Sequence, residues 1–167
     1  NEADACLALG GDLWAKQNHV HGSCRRLKQT GKQFTASGSR SFLLEKFDLI
    51  LIRKEPPFDQ EYLYLTYLLE TVASSQIPVI NHPAGIRNAN EKLSILHFPK
   101  WIPETLVSSS AKQILDFQKK TAGAIVVKPL DQKGGQGIFL LRKKDRSALP
   151  KLLRATLHGK KTLMAQR

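Results

Sequence analysis

Residues 125–139 read IVVKPLDQKGGQGIF, and this stretch carries the clearest signal in the sequence. An apolar run ends at Lys128, a loop rich in glycine follows at residues 131–137, and a second apolar run begins at Ile138. A lysine at the end of a buried strand is costly unless its ammonium group meets an anion. Glycines let consecutive backbone N–H groups turn toward one anion. The stretch therefore predicts a hairpin whose loop closes over a phosphate group.

The loop differs from two established phosphate-binding motifs. No G-x-x-x-x-G-K-[ST] sequence occurs in the chain. Gly135 and Gly137 are followed by an apolar run, whereas the dinucleotide-binding motif requires a third glycine and a helix. A plain hairpin with a glycine turn, in which Lys128 is a charge on a sheet edge, remains the alternative interpretation.

The sequence around this hairpin predicts an α+β unit. Ser110 is expected to cap a helix that continues to Lys120, and Ser147 is expected to cap another that Gly159 ends. The residues expected to face inward from these two helices are Ala111, Ile114, Leu115, Leu149, Leu152, Leu153 and Leu157. Strands are expected at residues 104–107, 124–128, 138–141 and 162–165.

The first half of the chain has the alternation of strand and helix that is typical of a parallel sheet. Phe47–Ile52 is an apolar run that suits a strand buried on both faces, and Ile77–Ile80 is a second such run. Between them, Asp59 can cap a helix with one apolar face. That face consists of Tyr62, Leu65, Leu69 and Val72. A short strand is expected at residues 5–9, an irregular segment at 15–45, and an interrupted helix at 84–97.

Composition and charge narrow the functional classes. The 167 residues carry a net charge of +12, and residues 119–167 alone hold 13 basic and two acidic side chains. This asymmetry suggests a polyanionic partner such as nucleotide phosphates or nucleic acid, and a solvated basic surface is the alternative. No apolar run approaches the length of a transmembrane helix, which is about 20 residues. Cys6 and Cys24 are expected to be free thiols in a reducing, cytoplasmic compartment.

Three further cations are candidates for binding ligands. Lys92, within the sequence NEKL, could reach a phosphate group, although a solvated lysine on a helix is the alternative. Arg53 and Lys54 follow the apolar run that ends at Ile52, where open α/β sheets place their ligands. These two could hold a substrate carboxylate, or they could be surface charges on a rigid turn. Of the five histidines only His19 and His21 are spaced like metal ligands, and no cysteine partner lies near them, so no metal site is predicted.

Six segments in this order resemble the bacterial glutathione synthetase family of the ATP-grasp superfamily. They are DLILIRKEPPFDQEY (48–62), VINHP (79–83), RNANEKL (87–93), PETLV (103–107), VKPLD (127–131) with Gly134, Gly135, Ile138 and Phe139, and MAQ (164–166). The resemblance implies an N-terminal parallel-sheet, Rossmann-like substrate-side domain at residues 1–90. It also implies the first, α+β part of a nucleotide-binding ATP-grasp domain at residues 91–167.

The resemblance also implies an activity and a set of site residues. Such enzymes use ATP with Mg²⁺ or Mn²⁺ to join γ-glutamylcysteine to glycine through an acyl phosphate. The residues expected to bind ATP are Lys92, Lys128, Asp131, Gly134, Gly135, Gln136, Gly137, Ala165 and Gln166. Arg53 and Lys54 would lie on the substrate side. The partners would be small molecules and further copies of the chain, since the family is typically a homotetramer, with no nucleic acid or membrane.

Departures from the family pattern lead us to expect an incomplete chain. The family's metal-binding carboxylates and its catalytic arginine would lie beyond Arg167, and an opening strand and helix would precede residue 1. The chain alone is then expected to be inactive. Two alternatives remain open at this point. One is another ATP-grasp ligase with a different carboxylate and amine, and the other is a non-catalytic basic module that binds nucleic acid in a salt-dependent way.

Overall fold

A computed structural model describes residues 4–145 and 147–167. The chain forms two compact units, which we call the N-terminal unit, ending at Ala89, and the C-terminal unit, beginning at Asn90. Among the described residues, no helix combines the length and the apolar character that crossing a membrane requires.

The larger sheet of the N-terminal unit has four antiparallel strands, and the expectation of an irregular segment at residues 15–45 is wrong. The long strand β3 pairs with each of the other three strands, and a turn at Gly31 leads from it into β4. Beyond Cys24 both long strands are exposed, so the apolar alternation that marks a strand in sequence is missing there. The strands are β1 (Ala5–Leu7), β2 (Leu13–Lys16), β3 (His19–Thr30) and β4 (Gln33–Leu43).

The predicted parallel pair is confirmed in the same unit. Strand β5 (Ile50–Leu51) pairs in parallel with β6 (Val79–Ile80), and helix α1 (Gln60–Ala73) connects them. The carboxylate of Asp59 accepts a hydrogen bond from the Tyr62 backbone N–H at 2.8 Å, which caps α1 as predicted. A short helix, α2 (Pro83–Asn88), follows β6.

Burial of β5 on both faces is a wrong prediction. Ile50 packs with the buried core of α1, which includes Leu65 and Leu69, so the helix covers one face of the parallel pair. On the other face Leu51 is 57% exposed and Ile80 is 52% exposed. An apolar run in the sequence shows that both faces of a strand are suited to burial. A face is buried only where another element packs on it, and here only one face of β5 is covered.

The C-terminal unit is a four-stranded antiparallel sheet in the order β7-β10-β8-β9. Each strand matches a predicted one to within about one or two residues, the usual uncertainty of element ends. The last strand, β10, lies inside the sheet between β7 and β8. The elements are a 3₁₀ helix (Leu93–His97), β7 (Thr105–Ser108), α3 (Ala111–Lys120), β8 (Ile125–Pro129), β9 (Phe139–Leu141), α4 (Ala148–Ala155) and β10 (Leu163–Gln166).

Helices α3 and α4 bury one face of this sheet. Their side chains Ala111, Ile114 and Leu152 form one core with inward residues of β8 and β10, among them Val127 and Leu163. Lys128 and Gln166 alternate with these core residues and therefore point to the opposite face.

Two details of α4 differ from the prediction. Leu152 is buried, but Leu149 is 47% exposed, because the core takes a narrower stripe of this short helix than the leucine spacing offers. Leu157 lies beyond Ala155, where α4 ends, and is 56% exposed. The Ser147 hydroxyl makes no capping hydrogen bond to the helix and donates instead to the Asp145 carboxylate at 2.6 Å. That bond and a second from the Ser147 backbone N–H lower the pKa of Asp145.

Leu152 and Leu149 of α4 give a direct test of the orientation of this helix on the sheet. Leu152→Ala should lower the free energy of unfolding by about 2–5 kcal/mol, because it leaves a cavity in the core. Leu149→Ala should change it by less than about 0.5 kcal/mol, because the side chain is largely exposed. Urea unfolding followed by circular dichroism measures both. Equal losses for the two variants would mean that α4 is turned differently on the sheet.

Candidate functional site: two lysines and a glycine-rich loop

Lys128 lies on β8 on the face opposite the helices, and strand register determines its partner. Met164 of β10 lies directly opposite Lys128, so Gln166, two residues further along, is the diagonal neighbour on the same face. The Lys128 Nζ donates a hydrogen bond to the Gln166 Oε1 at 2.6 Å. The ammonium group is thus held by an uncharged amide oxygen.

Lys92 reaches the glycine-rich loop from a separate segment. The Asn90 Oδ1 accepts hydrogen bonds from the backbone N–H groups of Lys92 and Leu93 at 3.1 and 2.9 Å. This side-chain turn fixes the backbone from which Lys92 extends. The Lys92 Nζ then donates to the backbone carbonyl of Gln132, 40 residues further along the chain, at 2.7 Å.

The electrostatics of these two lysines favour an anion. Both side chains are half-buried, and each hydrogen bond given above ends on a neutral oxygen. Within residues 4–145 and 147–167, neither Lys92 nor Lys128 forms an ion pair with a carboxylate. A partly desolvated ammonium group that lacks a counter-charge is stabilised by an anionic ligand.

The loop between β8 and β9 is built from glycines with a left-handed backbone. Gly134, Gly135 and Gly137 have φ angles of +59°, +79° and +70°, which side chains rarely adopt. Gly137 is constrained further, because a Cβ atom there would lie 2.7 Å from the Cγ of Pro129. Residues 133–138 are exposed, so the backbone of the loop is open to a ligand.

Asp131 anchors the start of this loop. Its Oδ2 lies 3.0 Å from the Nζ of Lys161, the residue two positions before β10. Its Oδ1 is buried without a hydrogen-bond partner. The carboxylate therefore balances Lys161, a third cation, while one of its oxygens retains capacity to accept a hydrogen bond.

The part of the chain that the structure describes contains no group of three or more His, Cys, Asp or Glu side chains that could hold a metal ion. Mg²⁺ at phosphate sites is usually bound by one or two carboxylates together with substrate phosphates and waters, so it does not require such a group.

Comparison with known proteins places this site in a family. A model of the prokaryotic glutathione synthetase N-terminal domain matches residues 3–87, and a model of the ATP-grasp domain of the same enzyme matches residues 91–167. The chain belongs to the prokaryotic glutathione synthetase family. The resemblance identified in the sequence is thereby confirmed.

Curated relatives in this family are longer than the chain. It is 45% identical to the glutathione synthetase of Nitrosomonas europaea over 74% of the chain and 38% of the relative. It is 38% identical to that of Photorhabdus laumondii over 93% of the chain and 50% of the relative, and 36% identical to that of Coxiella burnetii over 93% and 49%. The chain thus spans half or less of the length of these relatives.

Two solved structures share the fold. An ATP-grasp RimK domain protein from Sphaerobacter thermophilus is 24% identical, with a TM-score of 0.52 over 73% of this chain and 46% of that one. D-cycloserine synthetase is 17% identical, with a TM-score of 0.55 over 74% and 44%. At these identities the likeness concerns the fold alone, and it agrees with the expected α/β architecture. The ATP-grasp unit is shown by the family model that matches residues 91–167.

In the C-terminal unit, the side chains expected to bind ATP do not all point toward the same part of the surface. Lys92 contacts the loop that contains Asp131 and Gln136, whereas Lys128 contacts Gln166. Ala165 points its side chain into the core with the helices, and its strand is paired on both sides. Its side chain is therefore not available to a ligand.

Arg53 and Lys54 belong to the N-terminal unit, where both are exposed. The Tyr62 hydroxyl donates a hydrogen bond to the Lys54 backbone carbonyl at 3.0 Å, and the Lys54 Nζ lies 5.3 Å from the centre of the Tyr62 ring. Burial, with a smaller effect of the Glu55 carboxylate, raises the pKa of Tyr62.

Three residues of the site were missed in the sequence: Asn90, Thr105 and Lys161. Asn90 could have been found, because an Asn two positions before a lysine and at the start of a helical turn is a typical capping signal. Thr105 and Lys161 carry no such local signal. Their contacts join residues 61 and 30 positions apart and become visible only when the strands are paired.

The two kinds of constraint on the loop glycines can be separated by substitution. Gly134→Ala should lower the free energy of unfolding by roughly 1–2 kcal/mol, because its Cβ meets open space and only the positive φ is penalised. Gly137→Ala should cost about 1–3 kcal/mol more, because its Cβ also overlaps Pro129. Urea titration measures the difference. Equal costs would indicate that the loop does not rest on Pro129.

Proposed function

We propose that the C-terminal unit binds the phosphate groups of ATP between Lys92, Lys128 and the loop 131–137. The observation that carries this proposal is the pair of half-buried ammonium groups whose hydrogen bonds end on neutral oxygens beside a glycine-rich loop. The exposed backbone of Gly134, Gly135 and Gly137 would supply N–H donors to the same phosphates. Gln136, within this loop, and the β10 residues Ala165 and Gln166 would complete the nucleotide site.

For the whole enzyme, we propose ATP-dependent ligation of γ-glutamylcysteine and glycine through an acyl phosphate. Phosphoryl transfer depends mainly on positioning the reacting groups and neutralising the charge that develops. The residues of this chain would hold the phosphates in line and offset their charge, which lowers the barrier when the substrate carboxylate attacks. The chemistry after phosphorylation needs residues other than those described here.

We propose that Mg²⁺ accompanies the nucleotide, where it would neutralise phosphate charge. Among the described residues there is no group of three or more potential metal ligands, and Lys92 and Lys128 would supply positive charge to the same phosphates. Asp131, whose Oδ1 lacks a partner, lies at the start of the loop but is a single ligand at most.

The remaining assignments rest on the family. The N-terminal unit would form the substrate side, with the exposed Arg53 and Lys54 available to bind a substrate carboxylate. We propose a cytoplasmic enzyme that acts on small molecules and associates with further copies of itself, without a nucleic acid partner. The excess of positive charge in residues 119–167 suits nucleotide phosphates.

An NMR titration of this chain tests the phosphate site. ATP should shift the backbone amide signals of residues 131–137 and of the segment around Lys92, whereas adenosine, which lacks phosphates, should leave them in place. Lys128→Ala should weaken ATP binding by roughly tenfold or more, because a hydrogen bond between charged groups is lost. Lys112→Ala, at an exposed lysine of α3, is the matched control and should bind like the unchanged chain.

Either of two results would contradict the proposal. One is a set of ATP-induced shifts confined to residues before Ala89. The other is an equal loss of affinity in the Lys112→Ala and Lys128→Ala variants, which would indicate that ATP responds only to overall charge.

A further inference from the structure

A chain of three hydrogen bonds runs across the C-terminal sheet from β7 to β8. The Thr105 Oγ1 donates to the backbone carbonyl of Pro103 at 2.7 Å. The Gln166 Nε2 donates to the Thr105 Oγ1 at 3.0 Å, and the Lys128 Nζ donates to the Gln166 Oε1 at 2.6 Å. No functional role is predicted for Thr105 from the sequence.

The donors and acceptors in these three hydrogen bonds can be arranged in only one order. The Pro103 carbonyl can only accept a hydrogen bond, so the single proton of the Thr105 hydroxyl is committed to it. The Thr105 oxygen must then act as an acceptor toward Gln166. The side-chain amide of Gln166 consequently turns its NH₂ group to Thr105 and its oxygen to Lys128.

Strand register makes this arrangement specific. Thr105 is paired directly with Gln166 across β7 and β10, and Gln166 is the diagonal neighbour of Lys128 across β10 and β8. Gln166 is only 6% exposed, so water cannot readily replace a lost partner. A reversed amide would point NH₂ protons at the ammonium group, which repels them.

We infer that Thr105 is a positioning residue for Lys128, acting through the orientation of the Gln166 amide. Thr105 sets the amide, and the amide oxygen holds the ammonium group at a defined place on the sheet face. The consequence for nucleotide binding rests on the proposed function, in which Lys128 contacts a phosphate. The orientation itself does not depend on that function and can be measured without nucleotide.

Competitive labelling of lysines measures the state of Lys128 directly. The chain is treated with a trace of an N-hydroxysuccinimide ester, and the labelling rate of each lysine is read by mass spectrometry, with exposed Lys112 as the internal reference. Thr105→Val removes the hydroxyl and keeps the shape of the side chain. It should raise the labelling rate of Lys128 by roughly three- to tenfold, because the Gln166 amide loses its bond to Thr105 and then holds the ammonium group less firmly.

Two control variants separate positioning from general damage. Thr105→Ser keeps a hydroxyl and should restore the original rate at Lys128. Thr121→Val removes the hydroxyl of a buried threonine that takes no part in these three hydrogen bonds, since it donates to the Phe117 carbonyl at 2.9 Å, and should leave the Lys128 rate unchanged. An unchanged Lys128 rate in a folded Thr105→Val variant, or an equal rise in Thr121→Val, would overturn the inference.

A measurement on the unchanged chain covers the case in which Thr105→Val does not fold. The side-chain NH₂ protons of Gln166 should exchange with solvent far more slowly than those of exposed Gln33, and Thr105→Ser should preserve this protection. Rapid exchange of both Gln166 protons would overturn the inference.

Labelling in the presence of ATP distinguishes the positioning role of Thr105 from the proposed phosphate-binding role of Lys128. ATP should slow the labelling of Lys128 in the unchanged chain. If ATP has no effect but Thr105→Val still raises the Lys128 rate, the positioning role stands and the phosphate role fails. If ATP protects Lys128 but Thr105→Val has no effect, the phosphate role stands and the positioning role fails.

Discussion

The pairing of β10 with both β7 and β8 is the constraint on which the rest of the C-terminal unit depends. This strand is the last in the chain, yet it lies inside the sheet, so it brings together segments that are far apart in sequence. Its inward residues, Leu163 and Ala165, complete the core under α3 and α4. Its outward Gln166 links Thr105 on one neighbour to Lys128 on the other. One alternating strand thus supplies both the stability of the unit and the placement of a candidate phosphate-binding lysine.

The proposed phosphate-binding function rests on an uneven distribution of charge in this unit. Folding half-buries two ammonium groups beside a glycine-rich loop and gives them neutral oxygens as partners. Lys161, by contrast, is offset by Asp131 at the base of the same loop. The charge of Lys161, at the base of the loop, is therefore neutralised by a carboxylate. The charges of Lys92 and Lys128 remain available to an anionic ligand. A phosphate group is the ligand that this distribution favours, in agreement with the family to which the chain belongs.

Patterns within short stretches of the sequence predicted much of this structure. They missed the features that depend on contacts between residues far apart in the sequence. The capped helix after Asp59 and the hairpin around the glycine-rich loop were predicted because their signals lie within a few residues. The long strands β3 and β4 were missed, since their exposed outer halves lack apolar alternation. Lys92 and Lys128 were named from their motifs, but their partners were not, because Gln132 and Gln166 lie 40 and 38 residues away. Strand pairing, which no short window of sequence contains, decides those contacts.

A crystal structure of this chain with a non-hydrolysable ATP analogue is the most direct test of the account. The account predicts phosphate oxygens within about 3 Å of the Nζ atoms of both Lys92 and Lys128, and of backbone N–H groups in the loop 131–137. Lys128 should keep its contact with the Gln166 oxygen. A triphosphate bound elsewhere, or one that meets only one of the two lysines, would contradict the claim that these segments form a single phosphate site.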